Sequence, residues 1–278
     1  MKKTIVLAAL ILSAALSAYA QQQADPEEDF IFDIINDGTA VRILQYYSNN
    51  TDVRIPARIQ NLPVTEIFRQ AFAFGRLTSV SIPNSVTHIG YAAFVDNQLT
   101  SVNIPRSVTH IEGMAFASNQ LTSVRISDSV THIGGGAFAN NQLTSVSIPR
   151  SVTYIRGETF ANNQLTSVSI PDSVIYIEYE AFKGNQLTSI TIGKNVTRIG
   201  WSAFSDNRLT SVSIPRSVTH IGEEAFAGNR LTSVIISDSV TDIGYGAFAE
   251  NQLTSVSVPS GASVDPTAFD EGVTVTRR

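Results

Sequence analysis

The chain has 278 residues, 43% of them hydrophobic and 15% charged, which allows a sizeable core and rules out wholesale disorder. It contains no cysteine, so a disulfide framework, a thiolate metal site and a cysteine nucleophile are excluded. With 24 acids against 19 bases and no basic run, it lacks the electrostatic footprint of a nucleic-acid binder or of a protein that docks on anionic membranes.

Lys2 and Lys3 precede an apolar run from Ile5 to Leu16, and Ala18-Tyr19-Ala20 supplies a small-x-small cleavage site. This is the layout of a secretory signal peptide over residues 1–20, cut after Ala20. The run is too short to span a bilayer comfortably; an uncleaved anchor is the alternative reading. Residues 21–29, with three glutamines, one proline and four acids, read as a flexible acidic leader. The sequence stops at Arg277-Arg278 without a hydrophobic tail or sorting signal, so no transmembrane anchor is expected. The export signal implies a secreted, periplasmic or cell-surface location.

Residues 30–76 read as an N-terminal cap followed by a degenerate repeat. Phe30–Ile35 and Ala40–Leu44 flank Asn36-Asp37-Gly38, a hairpin signal whose turn needs positive φ. Val64, Ile67, Ala71 and Phe72 then stand 22 residues before Val86, Ile89, Ala93 and Phe94.

From Leu77 onward the triplet Leu-Thr-Ser returns every 22 residues up to Leu253, giving eight complete units over residues 77–252 without an insertion. Each unit reads approximately L-T-S-V-S-I-P-x-S-V-T-x-I-G-x-x-A-F-x-x-N-Q. In the first, Leu77, Val80 and Ile82 form the apolar face of a short strand, and Val86, Ile89, Ala93 and Phe94 line the return. One such unit cannot bury these side chains alone, whereas stacked units turn each column into a continuous ladder, which predicts a solenoid. The phenylalanines from Phe94 to Phe248 should form an aromatic spine. The asparagines from Asn97 to Asn251 should bridge the backbones of neighbouring coils.

Proline closes most strands (Pro83, Pro105, Pro149, Pro171, Pro215, Pro259) and starts the return. The next position carries Arg106, Asp128, Arg150, Asp172, Lys194, Arg216 and Asp238, a chain of mostly alternating charge whose exposed pairs are worth about 0–1 kcal/mol each. Residues 253–278 form a partial repeat and C-terminal cap: Ala268-Phe269 arrive one residue out of phase, and Val273–Thr276 reads as a closing strand.

The unit resembles the BspA-like, or treponemal-type, leucine-rich repeat, with its strand–Ile-Pro–Ser-Val-Thr–x-Ile-Gly–x-x-Ala-Phe pattern. Ile55-Pro56 and Pro63-Val64-Thr65 match the unit that follows the family's N-terminal hairpin. Two departures are evident: the units have 22 residues where 23 is common, and asparagine stands where cysteine is often found. The resemblance implies a β-rich leucine-rich repeat solenoid with a parallel strand face, short or helical turns on the return side, and an N-terminal β-hairpin cap. It further implies a bacterial secreted or surface-exposed protein, with adhesion to host matrix proteins such as fibronectin or fibrinogen, to epithelial cells or to other bacteria. It carries over no catalytic or binding residue.

Catalysis needs a unique constellation in one place. Here Ser, Thr, Asp and His recur coil after coil, and there is no G-x-S-x-G, H-E-x-x-H or G-x-x-x-x-G-K-[ST] motif. The expectation is therefore a monomeric, non-catalytic protein without a cofactor. His88, His110 and His132 share one column on consecutive coils and are weak candidates for a surface metal site; a merely exposed column is the favoured reading, since Tyr154, Tyr176, Arg198 and Asp242 occupy it elsewhere.

Two faces compete as the binding surface. On the strand face one outward column is serine in all nine units and the other is mostly serine, from Ser81 to Ser257, so the positions that depart from serine in the second, Asn103, Arg125, Thr191 and Ile235, are the candidates there. On the return side Tyr154, Tyr176, Tyr179 and Trp201 fall on three consecutive coils, and such residues anchor interfaces. A protein-binding adhesin leads. A binder of a repetitive ligand such as a glycan, suggested by the Ser/Thr rows, and a scaffold assembling through its ends are the alternatives.

Overall fold

In the computed structural model, which describes residues 23–278, each 22-residue unit makes one coil of a β-solenoid. The proposed signal peptide lies outside the described residues. Alternation decides each coil's course. Leu77 is buried, Ser79 and Ser81 face out from a front strand (Ser79–Ser81), and Ile82 and Val86 turn the chain back into the core. A two-residue return strand (His88–Ile89) follows, and a turn carries Ala93 and Phe94 to full burial. The single helical segment among the described residues is a 3₁₀ turn at Glu27–Asp29. The return side is thus built of short strands and turns.

The phenylalanines stack as the period predicts. From Phe72 to Phe269 successive rings lie 4.9–5.7 Å apart between centroids, and those from Phe94 to Phe248 are fully buried. Beside this spine runs the asparagine ladder. Asn97 accepts the Leu77 N–H at 2.9 Å and donates to the carbonyls of Phe72, Phe94 and Val95 at 2.9–3.3 Å. Each asparagine therefore satisfies backbone groups that the bend leaves unpaired, in its own coil and in the one before.

The N-terminal end is closed by β1 (Phe30–Ile35) and β2 (Ala40–Tyr46), an antiparallel hairpin whose turn holds Asn36, Asp37 and Gly38 at positive φ. Strand β3 (Asp52–Arg54) joins the front, and β4 (Arg58–Ile59) pairs with β5 (Leu62–Ile67). β2 lies parallel to β5, and β5 parallel to His88–Ile89, so the hairpin feeds straight into the return sheet. The acidic stretch expected to be flexible is tied down from Asp25. Its N–H donates to the Arg54 carbonyl, and its carboxylate accepts from the Tyr46 hydroxyl and the Arg54 N–H. At the other end Thr274–Arg277 pairs with Ser255–Val258, and Phe269 completes the ring stack.

The front strands do not form one sheet. They join in pairs: Ser101–Asn103 with Ser123–Arg125, Ser167–Ser169 with Ser189–Thr191, and Ser211–Ser213 with Ser233–Ile235. The positions of the prolines follow this pattern. The N–H groups of Ile170 and Ile214 donate forward, to Thr191 and Ile235 of the following coil, so the next residue's N–H faces the coil before. Pairing continues where that residue is Ser127, Gly193 or Ser237, and lapses where it is Pro105, Pro149, Pro171, Pro215 or Pro259, which has no N–H to give. Pro83 is the exception; its strand pairs with β3, the Thr51 carbonyl taking the N–H groups of Thr78 and Ser79.

The return sheet is interrupted once, between His132–Ile133 and Tyr154–Ile155. At that junction the coils are held by the turn backbone (Gly136 N–H to Gly157 carbonyl, Phe138 N–H to Thr159 carbonyl), by Asn163 and by the Phe138–Phe160 stack.

Candidate binding surfaces

All nine serines of the outward column, Ser79 to Ser255, are exposed. The four strand-face candidates are exposed as well, and the lapses in pairing distribute them among three shallow hollows. Asn103 and Arg125 stand side by side in register and line a hollow of about 800 Å³ with Arg106 and Asp128. Thr191 lines one of about 650 Å³ with Arg150 and Asp172. Ile235, 68% exposed, lines one of about 780 Å³ with Arg216, Asp238 and Arg278. Each hollow brings an arginine and an aspartate together from adjacent coils.

The alternating charges make specific contacts. Asp128 accepts the backbone N–H of Arg150, Asp172 that of Lys194, and the Lys194 ammonium lies 3.1 Å from Asp172. These two Lys194 hydrogen bonds hold the Asp172 carboxyl below its ordinary pKa. Arg278, which sequence reasoning passed over, reaches Asp238 at 2.9 Å and donates to the Ser257 and Ile236 carbonyls.

On the return side Tyr154, Tyr179 and Trp201 are exposed and Tyr176 is half-buried. Tyr154 and Tyr176 are register partners, but none of the ring–ring contacts among the described residues joins two of the four. Each ring has its own support. The Arg156 guanidinium sits 5.1 Å from the Tyr154 centroid, the Lys183 ammonium 5.8 Å from Trp201, and Tyr179 lies over Gly157, where a Cβ would come within 2.3 Å of the ring. The same column exposes Tyr91 and Tyr245, which the period could have flagged, since both follow an Ile-Gly as Trp201 does.

His88 and His110 stack at 4.6 Å with planes 12° apart, and His110 and His132 lie at 5.8 Å. Each of the three offers a ring face to its neighbour, so their in-plane nitrogen lone pairs do not aim at a common point. His88 and His110 also engage Thr87 and Thr109 through Nδ1. No group of three His, Asp or Glu side chains among the described residues is placed to hold a metal ion.

The coil design itself has relatives. The model of the BspA-type leucine-rich repeat region matches in six copies, over residues 44–165 and 153–275. The chain belongs to this family. Among solved structures it is similar to a leucine-rich cell surface protein from Faecalibacterium prausnitzii, with 25% identity, a TM-score of 0.61, and coverage of 92% of this chain and 94% of that one. It also shares its fold with the pneumococcal vaccine antigen PcpA (17% identity, TM-score 0.59, 92% and 88% covered) and with a leucine-rich repeat protein from Bacteroides ovatus (19%, 0.56, 92% and 90%). No curated protein matches the chain. BspA-type repeats are in general non-catalytic, and membership points to a protein-binding role. No helix among the described residues is long and apolar enough to cross a membrane.

Proposed function

We propose that this BspA-type repeat protein is an exported adhesin that binds a protein partner as a monomer through its front face. The observation that carries the reading is the row of three hollows, each combining an arginine, an aspartate and at least one residue that departs from the serine background. Serine alone offers few interface anchors, whereas Arg125 and the exposed Ile235 supply a guanidinium and an apolar knob. Host matrix proteins such as fibronectin or fibrinogen, and surface proteins of other bacteria, are the partners to test.

The experiment is saturable binding to immobilised fibronectin and fibrinogen by the protein, an Arg125→Ala/Ile235→Ala variant and a Tyr179→Ala/Trp201→Ala variant. Loss in the first variant supports the front face, and loss only in the second moves the site to the aromatic return side. Absence of binding to both proteins removes these partners and favours the second reading, a repetitive ligand such as a glycan on the nine exposed serines, which a polysaccharide pull-down would detect.

A further inference from the structure

The turn side of the last coils differs from the rest of the solenoid. In the early coils the positions around each Ala-Phe hold Ala92, Val95 and Ala117, a small apolar cluster. Of these columns, that of Ala92 turns acidic at Glu158, Glu180 and Glu224, while that of Val95 and Ala117 turns polar only at Lys183 and Ser205; the next column adds Asp206 and Glu250. The carboxylates of Asp206, Glu224, Glu250 and Asp270 line a hollow of about 320 Å³, flanked by the half-exposed ring of Tyr245. One base, Lys183, shares the lining, and its ammonium is already engaged 2.9 Å from Glu180. The next basic column, Arg208 and Arg230, does not line the hollow.

A second observation is independent of the charge. Ser205, also in the wall of the hollow, is 3% exposed, and its hydroxyl has no hydrogen-bond partner in the protein. Buried hydroxyls are almost always hydrogen-bonded, so this one leaves an unmet hydrogen-bonding group in the wall of the site. The carboxylates are not equally committed. Asp270 accepts the N–H groups of Glu250 and Asn251, and Glu224 accepts the Ser202 hydroxyl. Asp206 and Glu250 are exposed at the rim. With no metal-binding group of three among the described residues, the arrangement suits a larger cation whose charge is spread over several donors and whose flank can lie against an aromatic ring.

We propose that this hollow binds an alkylammonium or guanidinium group, such as the lysine or arginine side chain of a partner segment. Asp206, Glu224 and Glu250 serve as counter-charges, Tyr245 as the aromatic flank and Ser205 as the hydroxyl in the wall. The site shares no residue with the front hollows and stands whether or not the front face binds a protein.

The test is calorimetric titration of the protein with tetralysine, tetra-arginine and agmatine at low and moderate salt. Glu224→Gln/Glu250→Gln is the site variant. Glu28→Gln/Asp33→Asn, exposed in the N-terminal cap and outside both the hollow and the front face, removes the same charge elsewhere. Saturable binding weakened roughly tenfold in the site variant and unchanged in the control supports the proposal. Agmatine competing with the peptides would show that the cationic group suffices, and peptide binding without competition that it must be carried on a chain. Absence of saturable binding by all three probes, or equal weakening in both variants, overturns it. Tyr245→Ala, which leaves the carboxylates and the core in place, should weaken binding about threefold, so the proposal stays open to refutation even if the site variant folds poorly.

Discussion

Asn163 accepts the N–H of Leu143, the first residue of its own coil, at 3.0 Å, while its amide donates across the junction to the carbonyl of Phe138 in the coil before and to that of Phe160 in its own, at 3.0 and 3.2 Å. The side chain is 6% exposed, so each of these backbone groups would lose its partner out of reach of solvent. Asn163→Ala should therefore cost about 2–4 kcal/mol in urea unfolding, more than a single hydrogen bond because several buried groups are stranded together. The neighbouring exposed Asn162, whose side chain donates to that of Asn140 at the surface, provides the comparison. Asn162 stands at φ 54°, where alanine is less at ease than asparagine, so Asn162→Ala should cost about 1 kcal/mol, and equal losses in the two variants would refute the ladder's role.

Tyr179 and Gly157 form a matched pair on the return side. A Cβ at position 157 would lie 2.3 Å from the tyrosine ring, so Gly157→Ala must displace the ring or the turn, costing about 1–3 kcal/mol. In a Tyr179→Ala background the same substitution should cost under about 1 kcal/mol. A double-mutant cycle showing no coupling would mean that the ring moves aside freely.

The fold was legible because its determinants repeat. A column occupied by Phe or Asn in unit after unit can be read from one sequence, and the period alone puts Phe94 over Phe116. The Asn36-Asp37-Gly38 turn and the hairpin around it were legible from local chemistry. What was not legible depends on residues that meet only once. Asp25 is anchored by Tyr46 and Arg54, far away in sequence and outside the repeat. The paired front strands were visible only as an irregular row of Ser127, Gly193 and Ser237 among prolines, whose meaning requires knowing which way each N–H points. The acidic hollow draws on four coils at positions that look like unconstrained x residues in the unit. Arg125 and Asn103 were identifiable as departures from serine, but their placement in one hollow with Arg106 and Asp128 follows from strand register.

The interrupted return sheet makes a prediction for dynamics. Thr131 N–H is bonded to the Thr109 carbonyl and Glu178 N–H to that of Ile155, whereas the sheet is broken between Ile133 and Tyr154. Amide hydrogen exchange at Thr153 and Arg156 should be at least roughly tenfold faster than at Thr131 and Glu178, although all four lie mid-solenoid. Uniform protection would show that the ladder is continuous in solution. Pro149→Ser, which restores an N–H facing the coil before, should raise protection in the Ser145–Ser147 segment.

Tyr46 supplies a pH test of the N-terminal cap. Burial, opposed by the Ser48 hydrogen bond and reinforced by the charges of Asp25 and Asp29, pushes its phenol from 10.0 up to about 12. Its hydroxyl donates to Asp25, a bond that exists only while the phenol keeps its proton. The folded chain thus holds this proton more tightly than the unfolded chain. The resulting stability is fully present below pH 10 and is lost as the pH rises from 10 towards about 12, because the unfolded state then releases the proton first. Chemical unfolding of the protein and of Tyr46→Phe at pH 8, 10 and 11 checks this. The difference between the two should be constant up to about pH 10 and shrink above it. A difference that stays constant through pH 11 would mean that Asp25 is held without the phenol, which then contributes nothing to the cap.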